Sequence, residues 1–289
     1  MQAESRVGAG RRSRVGEGLG CRAGPRVRRG DGGRSPGLPT VAAAALAGLA
    51  LAACGGAGGA AAGGGAANVG GSSGTAPKAA NPNPQRPGAP TITIHFCTPK
   101  AAANAADPCW KDATATPLTN VMAGTMATGF SGTFQAVWNT KNLFILEQIK
   151  NPEGFNPSNA NTTDPWESDA MEVYLSSDNG TDTGMSSNDT QIDIPLGAPS
   201  SVWVYTNQSD NGVQGYVKNV SGGYDVMLTI PWADTGGSGT TPGIGQVIGL
   251  DPAADTYSNG TSQNQSIAWG SPGSSEQNPS IWGQAVLAQ

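Results

Sequence analysis

The sequence predicts an all-β protein, a β-sandwich of about ten strands that follows a Gly/Ala/Pro-rich N-terminal region. All 7 Trp, 5 Tyr and 5 Phe lie after residue 90, whereas residues 1–90 contain 22 Gly and 21 Ala. After residue 90, short runs of alternating apolar residues are separated by clusters of Gly, Asn, Asp, Pro and Ser, and no run has a helical period. We therefore expect a disordered first third and one folded region, residues 91–289.

Nine runs with a period of two predict individual strands. The longest places Tyr224, Val226, Leu228 and Ile230 on one face. In the run at 171–175, Met171 and Val173 are expected to face the core, which turns Glu172 to the other face of its sheet. The nine runs are 132–138, 143–149, 171–175, 190–194, 202–205, 224–230, 246–250, 266–269 and 284–287.

The N-terminal region resembles an export signal. Residues 41–54 form an apolar run that follows several arginines and ends in Leu51-Ala52-Ala53-Cys54. These four residues resemble a bacterial lipobox, which implies cleavage before Cys54 and acylation of its thiol. We thus predict a signal region at 1–53, with a start near Val27, and a flexible tether at 54–90 that begins with the lipid anchor. A plain signal peptide with an incidental cysteine is the alternative.

Charge and cysteine content exclude several classes of function. Residues 91–289 contain 5 Lys, no Arg and 18 acidic residues, which excludes binding of nucleic acid through its phosphates. The single histidine, His95, excludes multi-histidine metal sites and a haem protein, although Met171, Met185 and Met227 are available. Neither a haem nor a nucleotide cofactor is expected. In an exported chain, Cys97 and Cys109 predict a disulfide, with a metal site as the weaker alternative.

Five segments occur in an order that resembles the family 9 carbohydrate-binding modules, over nearly all of residues 92–287. The resemblance implies an immunoglobulin-like β-sandwich that binds sugar chains, often contains structural calcium, and leaves catalysis to separate domains. The segments are DPCWKDA at 107–113, VWNTKNLFIL at 137–146, DPWESDAMEVYL at 164–175, GYDVMLTIPW at 223–232 and NPSIWGQAVL at 278–287.

The resemblance implies two sugar contacts, Trp166 and Glu172. An indole face stacks on the C–H face of a pyranose, and a carboxylate accepts hydrogen bonds from sugar hydroxyls. A tryptophan that plugs the end of the sandwich and a solvated strand glutamate are the structural alternatives. Glu167, Asp169 and Glu172 could also suggest the carboxyl pair of a glycosidase. Nothing else in the sequence supports catalysis.

Two family features are missing from this sequence. The resemblance implies that Trp166 is one of two tryptophans that clamp a sugar between them. The second clamp tryptophan should fall near Glu276, and an arginine that contacts the sugar should fall near Asp193. Four other aromatic residues could replace the missing clamp tryptophan. Three tryptophans lie in segments that the family uses for packing, so they are expected in the core. The substitutes are Trp282, Trp269, Trp203 and Tyr205, and the packing tryptophans are Trp138, Trp232 and Trp282.

An acidic loop offers candidate ligands for calcium, because hard oxygen ligands cluster among Gly and Asn residues. The candidates are Asp178, Asp182, Asp189 and Asp193, with Asp251 and Asp255 as a second and weaker cluster. The alternative is a solvated acidic loop.

Taken together, these features predict a lipoprotein of the bacterial cell envelope that faces outward from the cytoplasm. Its expected partners are a polysaccharide or oligosaccharide and, through Cys54, a lipid membrane. It would bind glycans for enzymes encoded elsewhere. The alternative is a structural or adhesive envelope lipoprotein whose sandwich has lost sugar binding.

Overall fold

The computed structural model describes residues 75–125, 128–205, 212–237, 239–257, 264–273 and 277–289. The predicted signal region, Cys54, Glu276 and the first part of the tether lie outside these ranges. The described residues form thirteen strands and five short 3-10 helices, which confirms the all-β prediction. No helix within these ranges is long and apolar enough to cross a membrane. The strands are β1 (Thr91–Phe96), β2 (Thr116–Leu118), β3 (Asn120–Ala123), β4 (Ser131–Trp138), β5 (Asn142–Lys150), β6 (Ala170–Ser176), β7 (Asp189–Pro195), β8 (Trp203–Tyr205), β9 (Gln214–Val220), β10 (Gly223–Pro231), β11 (Val247–Tyr257), β12 (Asn264–Ala268) and β13 (Gly283–Leu287).

The strands form two layers that share β1. The first layer has the order β8-β7-β6-β11-β13-β1, with β12 joining β11 to β3. The second layer has the order β1-β4-β5-β10-β9, with β2 beside β4. Thr91–Ile94 of β1 pair with β13, whereas His95 and Phe96 pair with β4. A strand that passes from one layer to the other closes one side of the sandwich.

The core lies between the two layers and follows the predicted alternation. Phe134, Ala136 and Trp138 of β4 face it, as do alternate residues of β5, β6, β7, β10 and β11. Met171 and Val173 are fully buried in this core, so the predicted orientation of β6 is confirmed. Trp138 and Trp232 also pack there, as predicted.

A smaller apolar cluster covers the outer face of the second layer, and the predicted disulfide joins Cys97 to Cys109 beside it. Asp107 caps the 3-10 helix Pro108–Trp110 by accepting a hydrogen bond from the Cys109 backbone. The buried Gln135 side chain donates to the carbonyls of Trp110 and Ala113. These contacts fix the loop that carries Trp110 over β4 and β5.

The folded region begins earlier than residue 91, which corrects the predicted end of the tether. Arg86 donates hydrogen bonds to the carbonyls of Trp282 and Gly283 at 2.7 and 3.1 Å. Asn83 donates to the carbonyls of Ser177 and Val247. Residues 75–90 therefore lie against the sandwich and are held mainly by polar contacts. Because few apolar residues are needed for such contacts, the segment has the composition of a spacer.

The structure contains more strands than the nine runs predicted. The added strands are short, polar or exposed, and β9 pairs with β10 alone. β11 has 11 residues, whereas the sequence predicted only its apolar first half, because Asp251, Pro252 and Asp255 interrupt the pattern of apolar residues.

Candidate functional site

Two partly exposed tryptophans form one side of the candidate site. Trp166 lies in the 3-10 helix Pro165–Glu167, which directly precedes β6. Its ring meets that of Trp203 edge to face, with centroids 4.8 Å apart and planes at 73°. Trp203 begins β8, at the end of the first layer. We call these two residues the tryptophan pair. Of the proposed substitutes for the missing clamp residue whose side chains the structure describes, Trp203 lies beside Trp166.

A lateral row of side chains runs from this pair across the outer face of the first layer. Trp203 is the cross-strand partner of Asp193, and Asp193 is the partner of Glu172. Glu172 in turn lies opposite Ala253 of β11. Directly opposed residues have Cβ atoms about 5 Å apart on the same face, so the tryptophan pair and Glu172 belong to one surface.

Glu172 is buried, with 3% of its surface exposed, so it is not a solvated strand glutamate. The Tyr174 hydroxyl donates to its Oε2 atom at 2.8 Å. Burial raises the pKa of Tyr174 well above its usual value, and the nearby carboxyls of Glu172 and Asp193 raise it further. The tyrosine therefore stays protonated and continues to orient the glutamate.

Asp255 adds a third acidic group that the sequence assigned only to a weak metal cluster. It lies two residues beyond Ala253 on the same face of β11. We call Glu172, Asp193 and Asp255 the carboxylate cluster. Burial raises the pKa values of Asp193 and Asp255 well above the usual aspartate range, and the charge of Glu172 raises both further. The cluster thus retains protons that exposed carboxyls would lose.

Tyr174 and Trp282 form an apolar wall beside the cluster, with ring centroids 5.6 Å apart. They pack with Met122, Ala253 and Ala268 on the outer face of the first layer. Trp282 is fully buried, so its predicted packing role is confirmed. Trp269 packs on Phe134 in the core and is not available as a second clamp residue. The side chain of Tyr205 lies outside the described residues.

Of the four predicted calcium ligands, Asp178 and Asp189 lie near each other, since burial and also the charge of Asp178 raise the pKa of Asp189. Asp178 accepts hydrogen bonds from Ser176 and Asn188, and Asp182 is exposed. Asp193 lies four residues beyond Asp189 on β7, about 13 Å further along the strand. Within the described ranges, no group of three or more His, Cys, Asp or Glu residues is arranged to hold a metal ion. Calcium binding itself stays a prediction.

The carboxyls beside the tryptophan pair are divided between structural and exposed positions. Asp169 is 4% exposed and accepts hydrogen bonds from the backbone of Asn156 and Tyr257 and from the Thr256 hydroxyl. It fastens the loop before β6 to the end of β11. Glu167 is exposed. Asp169 therefore braces the site and is already used as a hydrogen-bond acceptor.

The chain resembles known proteins over most of its folded region. The family model "Carbohydrate family 9 binding domain-like" matches residues 103–289. Among curated proteins, the chain is 27% identical over 160 residues to Endo-1,4-beta-xylanase A of Thermoanaerobacterium saccharolyticum, covering 55% of this chain and 13% of that protein. It is 24% identical over 182 residues to Endo-1,4-beta-xylanase A of Thermotoga neapolitana, covering 63% of this chain and 16% of the relative. The chain thus spans a small part of these xylanases.

Solved structures give the same fold. A carbohydrate binding module family 9 from Caldicellulosiruptor kristjanssonii in complex with cellotriose has a TM-score of 0.55 and 17% identity, covering 68% of this chain and 93% of the module. The complex of a family 9 module from that organism with glucose has a TM-score of 0.56 and 18% identity, covering 69% of this chain and 96% of the module. Because the family model matches more than half of the chain, the chain belongs to the carbohydrate family 9 binding domain-like family.

Proposed function

We propose that this protein binds β-linked glycans without making or breaking bonds in them, at the tryptophan pair and Glu172. The observation that carries the proposal is the row from Trp203 through Asp193 to Glu172, with Trp166 packed against Trp203. Membership of a family of carbohydrate-binding domains supports it. Any cleavage of the glycan belongs to other enzymes.

Both parts of the site have a physical role in sugar binding. A partly exposed indole supplies flat apolar surface for one face of a pyranose ring. The buried carboxylate accepts hydrogen bonds from hydroxyls at the edge of the ring, and these bonds strengthen where water is excluded. The hydrogen bond from Tyr174 holds Glu172 in place, so little conformational entropy is lost when the sugar binds.

The test is a calorimetric titration of the full chain with cellotriose and a xylose trisaccharide. Trp166→Ala is expected to weaken binding by about 30-fold, the effect of losing a central aromatic contact. Tyr216→Ala is the matched control, because Tyr216 is a partly exposed aromatic residue on β9 of the other layer. Equal affinity of wild type and Trp166→Ala, or no heat with any sugar, would contradict the proposal.

We further propose that Cys54 is acylated and anchors the protein in the bacterial envelope, facing outward from the cytoplasm. The apolar run before Cys54 and the Gly-rich segment after it support this assignment. Metabolic labelling with a radioactive fatty acid is expected to mark the wild type and not Cys54→Ser. Label retained by Cys54→Ser, or absent from both proteins, would refute the assignment.

A structural or adhesive role is the second candidate. The burial of Glu172, whose Oε2 is already an acceptor for Tyr174, favours it because a ready ligand contact is usually more accessible. This role predicts that the wild type and Glu172→Gln both give no heat with any sugar, and that Glu172→Gln changes only the melting temperature. The binding role predicts loss of sugar heat in the same variant.

A further inference from the structure

The strands around the candidate site contain no cationic side chain that could pair with the carboxylate cluster. These strands contain five acids, three of which form the cluster, and no Lys, Arg or His; they are β3, β6, β7, β8, β11, β12 and β13. Glu172 and Asp193 are direct cross-strand partners, and opposed like charges destabilise a sheet. Asp255 completes the cluster from the neighbouring strand.

Two oxygen atoms of the cluster are buried with unused hydrogen-bonding capacity. In the described part of the chain, Asp193 Oδ1 and Asp255 Oδ2 have no hydrogen-bond partner. Their residues are 0% and 2% exposed. A buried acceptor without a donor destabilises the domain by about 1–3 kcal/mol. A buried unsatisfied atom in a native structure requires an explanation, and a functional role is one of them.

We propose that the site takes a positively charged amino sugar, such as the glucosamine units of chitosan, in preference to a neutral glucose unit. The inference rests on the proposed sugar-binding function and names its substrate class. An ammonium group offers three N–H donors and one positive charge. Its N–H groups would donate to Asp193 Oδ1 and Asp255 Oδ2, and its charge would offset part of the negative charge of the cluster.

The tryptophan pair suits a cation as well as a sugar ring. Trp203 lies directly across from Asp193, so a group bound to that carboxylate also lies near the indole. A cation near an indole face is stabilised by the electrons of the ring. The pair is partly exposed and borders the buried acids through the pairing of Trp203 with Asp193, so a sugar ring on the indoles would lie beside the cluster.

The test titrates the full chain with two trisaccharides of the same linkage, cellotriose and the glucosamine trisaccharide of chitosan. They differ at carbon 2 of each ring, which carries a hydroxyl in cellotriose and an ammonium in the glucosamine trisaccharide. We expect the glucosamine trisaccharide to bind at least about 30-fold more tightly, as in other desolvated charge pairs. Asp193→Asn and Asp255→Asn should each remove this preference. Asp182→Asn should not, because it removes the same charge from an exposed loop.

Proton release supplies a second readout that does not depend on the variants. Burial raises the pKa values of Asp193 and Asp255, so each binds a proton at higher pH than an exposed aspartate does. An ammonium bound beside them lowers these pKa values, so protons are released over the pH range in which the carboxyls titrate. The heat of binding should therefore differ between buffers of unlike ionisation enthalpy for the glucosamine trisaccharide, and not for cellotriose.

Each outcome separates this inference from the proposed function. If cellotriose binds as tightly as the glucosamine trisaccharide and Trp166→Ala abolishes both, sugar binding stands and the charge preference is refuted. If neither binds, both proposals fail. If calcium chloride alone binds at the cluster and Asp193→Asn abolishes that binding, the site is a metal site and the inference is overturned.

Discussion

Glu147 lies on the core face of β5, and we expect its replacement by methionine to stabilise the domain. Its cross-strand partners are Phe134 and Val226, and it is fully buried. Within the described residues, neither carboxyl oxygen of Glu147 has a hydrogen-bond partner. Leaving each acceptor unsatisfied destabilises a protein by about 1–3 kcal/mol. Methionine has a similar shape without these acceptors, so Glu147→Met should gain about 2 kcal/mol at pH 5.

The pH dependence of this gain has a defined sign. Burial raises the pKa of Glu147 well above its ordinary value of 4.5, and the charge of Glu172 raises it further. Between the unfolded and folded pKa values, the folded state binds a proton that the unfolded state has lost. Stability therefore falls as pH rises through this window, by about 1.4 kcal/mol per pH unit for one group. Below pH 4.5 the contribution is constant.

The assay is urea unfolding of the full chain at several pH values from 4 to 8 with a check that the m-value is unchanged. Glu147→Gln cannot titrate, so its stability should match that of the wild type near pH 4 and exceed it increasingly above pH 5. Glu153→Gln is the control because Glu153 is exposed. Parallel stability curves for wild type and Glu147→Gln would refute the reasoning, since they would mean that Glu147 does not titrate on unfolding.

Three further predictions concern the periphery of the domain. Arg86→Ala should lower the free energy of unfolding by about 3 kcal/mol, because it removes the hydrogen bonds to Trp282 and Gly283. Arg86→Lys should recover only part of this loss, because lysine lacks the guanidinium geometry. Equal stability of the wild type and both variants in urea would contradict this prediction. Reduction of the disulfide, whose cysteines are 12 residues apart, should lower the free energy of unfolding by about 3 kcal/mol in the same assay, and an unchanged midpoint would be evidence against it. If calcium binds near Asp178, adding it should raise the melting temperature of the wild type and not of Asp178→Asn; a melting temperature insensitive to calcium and chelator would exclude the site.

Local pattern predicted the interior of the sandwich well because each clue lies within a few residues. The alternation of Met171, Glu172, Val173 and Tyr174 defines two faces of β6 before any partner strand is known. Burial then follows, because the apolar face must pack against another layer. The same rule predicted β4, β5 and β10.

The carboxylate cluster could not be predicted from local pattern. Asp255 joins Glu172 and Asp193 only through the pairing of β11 with β6, and register between distant strands leaves no local signal. The contacts of Arg86 lie 193 to 197 residues further along the chain, so the composition of its surroundings indicated a linker. One signal was present. Asp193 lies near the position where the family resemblance implies an arginine, and residues 91–289 contain no arginine.

The buried acids connect the stability of the domain to its choice of ligand. In the free protein, Asp193 and Asp255 keep unsatisfied oxygens and an unfavourable proximity to Glu172, so each should reduce stability. A change such as Asp193→Asn should therefore stabilise the fold while it weakens the binding of a cationic sugar. A purely structural sandwich would gain nothing by keeping these groups, whereas a binding site regains the lost stability when a ligand supplies the missing donors. If Asp193→Asn raises the free energy of unfolding and weakens the binding of the cationic sugar, the carboxyl belongs to a binding site. If it only raises the free energy of unfolding, the carboxyl is a defect in packing.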